Sequence, residues 1–417
     1  MRNLMTITLL TALLTGGNAL MSQEAVLASA DDWTQWRGPN TDGAATYVLE
    51  TPWPEDGPAE VWRRPLGSGF SGISILDGRL YTMYTDGDDE YLACMDAAAG
   101  EELWRVRTGD HFRDWQGGNG PRTTPILHDG KVYTLSAHGQ LWAVDAVSGE
   151  KVWKVDLPDR FGARQPKWGF SATPLIEDSR LLIDVGGPSG YSAMAFDPAD
   201  GSVLWHSGGD IPGYSSPVTT TIGGVKQALF FTGTKVTSVA VADGRPLWEY
   251  PWETSYEVNA ATPIIIPGDR VFLASGYSTG GGMLQVEKKG DDFSARAIWT
   301  TPDMKNQMAT SIYHDGYLYG FNNGIFVCLD AETGLMQWRA RGFGKGTLLR
   351  TGDNLIVLGE RGNLALVATN PSDYTEIRDA GQVIEGRCWT VPTLVDGKLY
   401  LRSLEEIACL DLRNAAR

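Results

Sequence analysis

Signatures of catalysis and metal binding are scarce in this chain. It has five histidines in 417 residues, and none has the His-x-x-x-His spacing of a helical zinc pair. It has four cysteines, no two adjacent. Basic residues are also few: 35 Lys and Arg stand against 51 Asp and Glu, a formal net charge of −16. Phosphate contacts need clustered cations, so nucleic acid is not an expected partner. Long apolar runs are missing after residue 30, so no membrane span is expected in the mature chain. The short run from Arg2 to Leu14 and the small residues Ala28-Ser29-Ala30 read as a secretory signal peptide over residues 1–30. Its removal drops one charge of each sign, Arg2 and Glu24, so the mature chain is as acidic as the precursor. Export to the periplasm or the medium is expected.

Glycine and tryptophan, in contrast, are plentiful, at 50 and 15 residues. The reason shows best in Arg122–Leu157, where short apolar runs are separated by Asp129-Gly130, His138-Gly139 and Asp145…Gly149. Asp-Gly between β-rich runs signals a type I′ hairpin, whose two central residues both need φ > 0. The stretch therefore reads as a four-stranded antiparallel meander. Such a unit cannot bury both its faces alone, so its copies must stack.

Copies are present. Asp-x-x-x-Gly-x-x-x-Trp occurs at Asp96/Gly100/Trp104, Asp145/Gly149/Trp153, Asp197/Gly201/Trp205 and Asp330/Gly334/Trp338, with a shortened form at Asp243-Gly244 and Trp248. The tryptophans at 104, 153, 205, 248, 299 and 338 step by 39 to 52 residues, the period of propeller blades. A Thr-Pro, Ser-Pro or Val-Pro pair opens most units: Thr124-Pro125, Thr173-Pro174, Ser216-Pro217, Thr262-Pro263 and Val391-Pro392. The expected fold is all-β, an eight-bladed propeller over residues 59–417 preceded by an ordered lead-in over 31–58. Seven blades is the alternative if the seventh unit, which lacks its Trp, is not a blade. The eighth unit ends at Asp411 without a fourth strand, and Ala59-Glu60-Val61-Trp62-Arg63 is expected to supply it from the other end of the chain. The repeated tryptophans read as structural plugs between blades. Cys94, Cys328 and Cys409 share one repeat slot with Ala143 and Ala195, and so read as small buried core residues. A Cys388–Cys409 bridge within the last blade stays open.

Ala143-x-Asp145-x-x-Ser148-Gly149-x-x-x-Trp153 and its copies resemble the tryptophan-docking motif of pyrroloquinoline quinone (PQQ) repeats. These repeats build the eight-bladed propellers of quinoprotein alcohol dehydrogenases and of the assembly protein BamB. The opening Trp33-x-x-Trp36-Arg37-Gly38-Pro39 is similar to the lead-in of exported PQQ-like propellers. The dehydrogenases add a vicinal disulfide, a Trp floor under the quinone, and a calcium or lanthanide held by Glu, Asn and Asp with an Asp base nearby. No motif here carries those ligands over, so no metal ligand and no catalytic residue is assigned. BamB-like proteins are lipid-anchored, and the lipobox cysteine is missing as well.

Topology places the candidate site. The segments entering the eight innermost strands converge on one mouth of the central channel. They include Asp114–Arg122, Arg164–Trp168, Tyr214, Tyr256–Asn259, Lys305–Gln307, Lys345 and Arg387–Trp389. Arg122, Lys305, Lys345 and Arg387 would attract an anion there; Trp168 and Trp389 would flank a planar ligand, with Asn259 beside them. The expected function is an exported, monomeric, non-catalytic binding or scaffolding propeller that offers this face to a protein or glycan partner in the cell envelope. The alternative is a PQQ-dependent alcohol or sugar oxidoreductase with a divergent cofactor site.

Overall fold

The computed structural model describes residues 32–413; the expected signal peptide lies outside them. Among the described residues the strands form eight four-stranded antiparallel blades, one of which gains a fifth, parallel strand from the lead-in, arranged as an eight-bladed propeller. Blades 1 to 7 span residues 74–110, 126–156, 175–207, 218–251, 264–301, 312–340 and 347–382. Blade 8 combines 393–411 with Ala59–Pro65, which pairs antiparallel with Glu406–Asp411 in the register Ala59↔Asp411 and Trp62↔Cys409. The two ends of the propeller thus meet in one sheet, and the ring has no open edge. The seven-bladed alternative fails because 347–382 forms a full blade without its Trp. The lead-in's Trp53, wholly buried, packs in the core that blades 7 and 8 share.

The turns follow the residues that make them. Asp77, Asp129, Asp315 and Asp396 all have φ near +50°, and the glycines after them lie between +70° and +86°, as a type I′ turn requires. In the Asp-x-x-x-Gly turns the carboxylate holds the loop. Asp145 Oδ1 accepts from the amides of Val147 (3.0 Å) and Ser148 (2.8 Å), and Asp96 and Asp330 do the same in their blades.

The glycine ending each turn is the seat of the preceding blade's tryptophan. A Cβ on Gly149 would lie 2.8 Å from Trp104, one on Gly201 2.9 Å from Trp153, and one on Gly244 2.6 Å from Trp205. Four docked indoles donate into the neighbouring turn, Trp62 to Ala97 O, Trp153 to Pro198 O, Trp205 to Val241 O and Trp299 to Ala331 O, at 2.9–3.1 Å, while the buried Trp104 Nε1 has no partner. Trp248 departs from this pattern. Blade 5 has a long hairpin, Gly280–Lys289 with Asp292–Thr301, in place of the turn, and Trp248 donates to Gln227 Oε1 in its own blade instead.

The Ala-or-Cys slot lies directly across from the tryptophan. Cys94 pairs with Trp104, Ala143 with Trp153, Cys328 with Trp338 and Cys409 with Trp62. On the far side of that slot stand Tyr81, Tyr133, Tyr319 and Tyr400. Each tyrosine reaches over the small residue to its tryptophan, with ring centroids 5.9–6.1 Å apart. A larger middle residue would part the rings. All four cysteines are buried and free, so the Cys388–Cys409 bridge does not form.

Around the channel, hydroxyls lock one blade to the next. Thr124 N donates to Thr173 Oγ1, Thr173 N to Ser216 Oγ, and Thr262 N to Thr310 Oγ1. The lead-in crosses the opposite mouth from that of the entering segments. Trp33 pairs with Ile75, Thr34 O accepts from Leu127 N, Arg37 Nη2 donates to Ser311 O, and Ala44–Ala45 adds a short parallel strand to blade 7. The lead-in therefore satisfies backbone groups that the innermost strands would otherwise leave bare.

Replacing Trp62 by Ala removes the dock that closes the ring and should destabilise the fold by about 3–5 kcal/mol. Replacing Trp115, which is 90% exposed, should change stability by no more than about 0.5 kcal/mol. Urea midpoints of the two variants check this; equal midpoints would contradict the docking account. Cys94→Ala should be tolerated to within about 1.5 kcal/mol because Ala fills the same slot in blades 2 and 3, and it should unfold at nearly the wild-type midpoint.

Candidate functional site

The eight entering segments enclose a cavity of about 500 Å³ on the propeller axis. Each segment contributes a lining residue: Phe70; Asp114, Gln116, Gly117 and Arg122; Lys167 and Trp168; Tyr214; Tyr256 and Val258; Gln307 and Met308; Lys345; and Trp389. Tyr277 joins them from the second turn of blade 5, and Trp36 rises from the lead-in. Trp36 Nε1 donates to Thr262 Oγ1 (3.0 Å), across 226 residues of sequence. Because the lead-in crosses the far mouth, Trp36 is a floor and the channel becomes a cup. A second hollow, about 580 Å³, opens on the propeller's outer side. It flanks Gly100, where Trp62 docks, and belongs to that interblade contact.

Of the seven residues expected at the mouth, Arg122, Trp168, Lys345 and Trp389 line the cup. Arg122 is engaged in holding its own loop. Its guanidinium donates to Gly120 O, to Gly118 O (2.8 Å) and to Asp114 Oδ2 (3.2 Å), and lies over Phe112 at 4.6 Å. Burial lowers its pKa to about 10, against the pull of Asp114 and Glu90. Arg387 stands just outside the cup. It donates to Gly117 O (2.7 Å) and sits 4.6 Å from the Trp389 ring, tying blade 8 to the loop before blade 2. Asn259 and Lys305 do not line the cup. Asn259 is fully buried and donates to Thr232 O, Gly233 O and Trp252 O, which makes it a brace for blade 4. Lys305 Nζ folds back onto Pro302 O and Asn322 Oδ1. Sequence position put both residues in an entering segment, but not the direction of their side chains.

Trp36, Phe70 and Tyr277 were not among the expected residues. Phe70 precedes blade 1 in the slot that Trp389 fills before blade 8, and that correspondence is the available signal. Tyr277 lies on a turn that shares the mouth with the entering segments. Trp36 had no local signal, because only the path of the lead-in brings it to the axis.

Glu360 sets the geometry of one wall. Its Oε1 accepts from Trp389 Nε1 (3.0 Å) and its Oε2 from Lys345 N (3.2 Å), so one carboxylate holds the ring and the lysine's backbone together. Two other carboxyls are buried near the mouth. Glu90 Oε1 accepts from Ala137 N and its Oε2 has no partner; burial raises its pKa to about 8, although Ala137 N and Arg122 pull the other way. Asp184 Oδ2 accepts from Gly213 N, and burial with Asp210 nearby raises its pKa to about 8.

The residues can be tested against a metal-assisted quinone. Among the described residues no three His, Cys, Asp or Glu side chains come together to hold a metal. The carboxylate lining the cup, Asp114, already accepts from Gln116 N, Gly117 N and Arg122. Cys94, Cys328 and Cys409 are buried singly in the blades and Cys388 in the segment entering blade 8. These residues do not fit that group, and no step is derived through it. The run Gly276-Tyr277-Ser278-Thr279-Gly280 has the spacing of a nucleophile elbow, but it joins two strands of one blade and not a strand to a helix.

Both buried carboxyls stay protonated in the folded chain up to about pH 8, while the unfolded chain ionises them near 4.5 and 3.8. The stability they contribute is complete at low pH and is lost as pH rises toward 8. Glu90→Gln keeps an acceptor for Ala137 N without the titration, so its urea midpoint should fall less than that of the wild type between pH 5 and 8.5. Parallel falls would rule out a buried neutral Glu90.

Residues 88–340, more than half of the chain, match the family described as outer membrane protein assembly factor BamB. No curated protein matches the sequence. Among solved structures, BamB from Moraxella catarrhalis is 14% identical with a TM-score of 0.58, over 85% of this chain and 99% of that one. Quinohemoprotein alcohol dehydrogenase from Comamonas testosteroni is 12% identical with a TM-score of 0.63, over 94% of this chain and 82% of that one. The computationally designed Ika8 protein is also 12% identical, with a TM-score of 0.57, over 85% of this chain and 99% of that one. At these identities the likeness is one of fold. The repeated docks, the eight closed blades and the sequence match agree, and the chain belongs to the BamB-type family of PQQ-like propellers.

Proposed function

We propose that this protein is an exported, non-catalytic binding propeller that seats its ligand in the axial cup. The observation that carries the reading is the cup itself. Seven aromatic side chains and two side-chain amides line a floor-closed cavity in which the one lining carboxylate and the one arginine neutralise each other. Such a lining offers stacking and hydrogen bonds but no general base, no nucleophile with a partner and no ligand set for a metal. Export is supported by the N-terminal sequence. The scaffold supports either a binding or a redox role, since unrelated functions occupy one fold; the donor set at the axis favours binding.

The test is to add PQQ with calcium to the purified chain. The expected result is no stoichiometric quinone absorbance and no dye reduction with alcohols or sugars. A one-to-one quinone complex that reduces dye with such substrates would overturn the binding reading in favour of an oxidoreductase.

A further inference from the structure

We infer that the cup takes an anionic sugar, a pyranose bearing a carboxylate or a sulfate. This inference rests on the reading of the cup as a ligand seat and adds the class of ligand. Three features of the cup each match one part of such a molecule.

The first is charge. The lining holds Arg122, Lys167 and Lys345 against Asp114, in a chain whose net charge is −16. Arg122 and Asp114 cancel at 3.2 Å. Among the described residues neither lysine forms an ion pair; the Lys167 ammonium lies 4.6 Å over the Trp168 ring and 5.5 Å over Tyr256, and Glu360, behind the wall, accepts from Trp389 Nε1 and Lys345 N. Two ammonium groups without an ion-pair partner at the mouth of an acidic protein attract an anion and repel a cation.

The second is the set of the rings. Trp168 meets Tyr214 at 54° and Tyr256 at 85°, and Tyr256 meets Tyr277 at 68°. The stacked pair at the mouth, Phe70 and Trp389, is already in mutual contact at 5.2 Å and 28°. No two faces stand parallel in the other three pairs, and Lys167 lies over Trp168 and Tyr256, so they form no slot for a flat polycycle. A puckered ring, whose C–H groups point several ways, meets tilted aromatic faces well.

The third is hydrogen bonding. The side-chain amides of Gln116 and Gln307 line the cup without a hydrogen bond to any described residue. Each offers a donor and an acceptor, as a hydroxyl-rich ligand needs. Backbone strain marks the same wall. Tyr256 and Glu257 have φ of +65° and +61°, and Tyr277 and Ser278 +53° and +70°. Aromatic residues rarely adopt this conformation, and such strain concentrates at ligand clamps.

Isothermal titration calorimetry on the full chain tests the inference, with trigalacturonate, a sulfated heparin-derived disaccharide and neutral maltotriose as probes. The expected result is one-to-one binding of at least one anionic probe, with maltotriose at least tenfold weaker; the two anionic arms tell carboxylate from sulfate. A K167Q/K345Q variant should lose at least tenfold in affinity and most of the salt dependence. Trp168→Ala should lose binding while keeping the wild-type urea midpoint, and Trp115→Ala should bind normally. Maltotriose binding as well as trigalacturonate, or an unaffected lysine variant, would overturn the anionic class and leave the cup a ligand seat. Failure of all three probes to bind overturns the sugar inference. A quinone complex with dye reduction would strike the parent reading instead.

Discussion

The fold depends on one repeated contact, an indole laid on a glycine of the next blade. At Trp62 and Trp153 the contact combines three features. The glycine must lack a Cβ, because one would stand 2.5–2.9 Å from the ring. The turn must be held by its aspartate so that a carbonyl points at the indole N–H. The residue across from these two tryptophans is small, Cys409 and Ala143, so that Tyr400 and Tyr133 one strand further in reach the ring; Trp299 docks with Met283 in that place. Burying a large aromatic side chain against a neighbour is among the stronger stabilising contacts available to a β-protein. Made around a closed ring, it turns sheets that could not stand alone into one structure.

Closure and the lead-in then convert scaffold into site. Ring closure through Ala59–Pro65 fixes the angular position of all eight entering segments, so that residues more than 300 positions apart, such as Phe70 and Trp389, come to lie 5.2 Å from each other. The lead-in closes the far mouth and adds Trp36. Without it the axis would be an open channel flanked by bare innermost strands. With it, the axis is a cup with a floor, walls and a charged rim.

The site was legible in part. Thr-Pro and Asp-Gly marks located the segments that enter the channel, and four of the seven residues expected there line the cup. Asn259 and Lys305 illustrate what such marks leave open. Within a segment, one residue faces the axis while its neighbour turns into the blade, and no local pattern separates the two in an irregular loop. Arg122 shows a further limit. It does line the cup, but its donors answer the carbonyls of its own loop. A cation conspicuous in sequence proved to be a brace, while Lys345 and Lys167 form no ion pair and Lys167 rests over the Trp168 ring. Trp36 and Tyr277 came from outside the segments that the repeat pattern identified.

The sequence by itself determined the repeat, its period, the turn types, the role of the tryptophans and the strand that closes the ring. Each of these rests on interactions between residues within one unit or at a fixed offset, where propensity and spacing are informative. Tertiary structure alone decided the cup. Its lining is contributed by eight segments and a lead-in spread over more than 350 residues, each adding a few side chains whose direction follows from blade angle and loop packing. Cavities on a symmetry axis are shared by every repeat and encoded by none, so the ligand seat emerges only when the ring has closed.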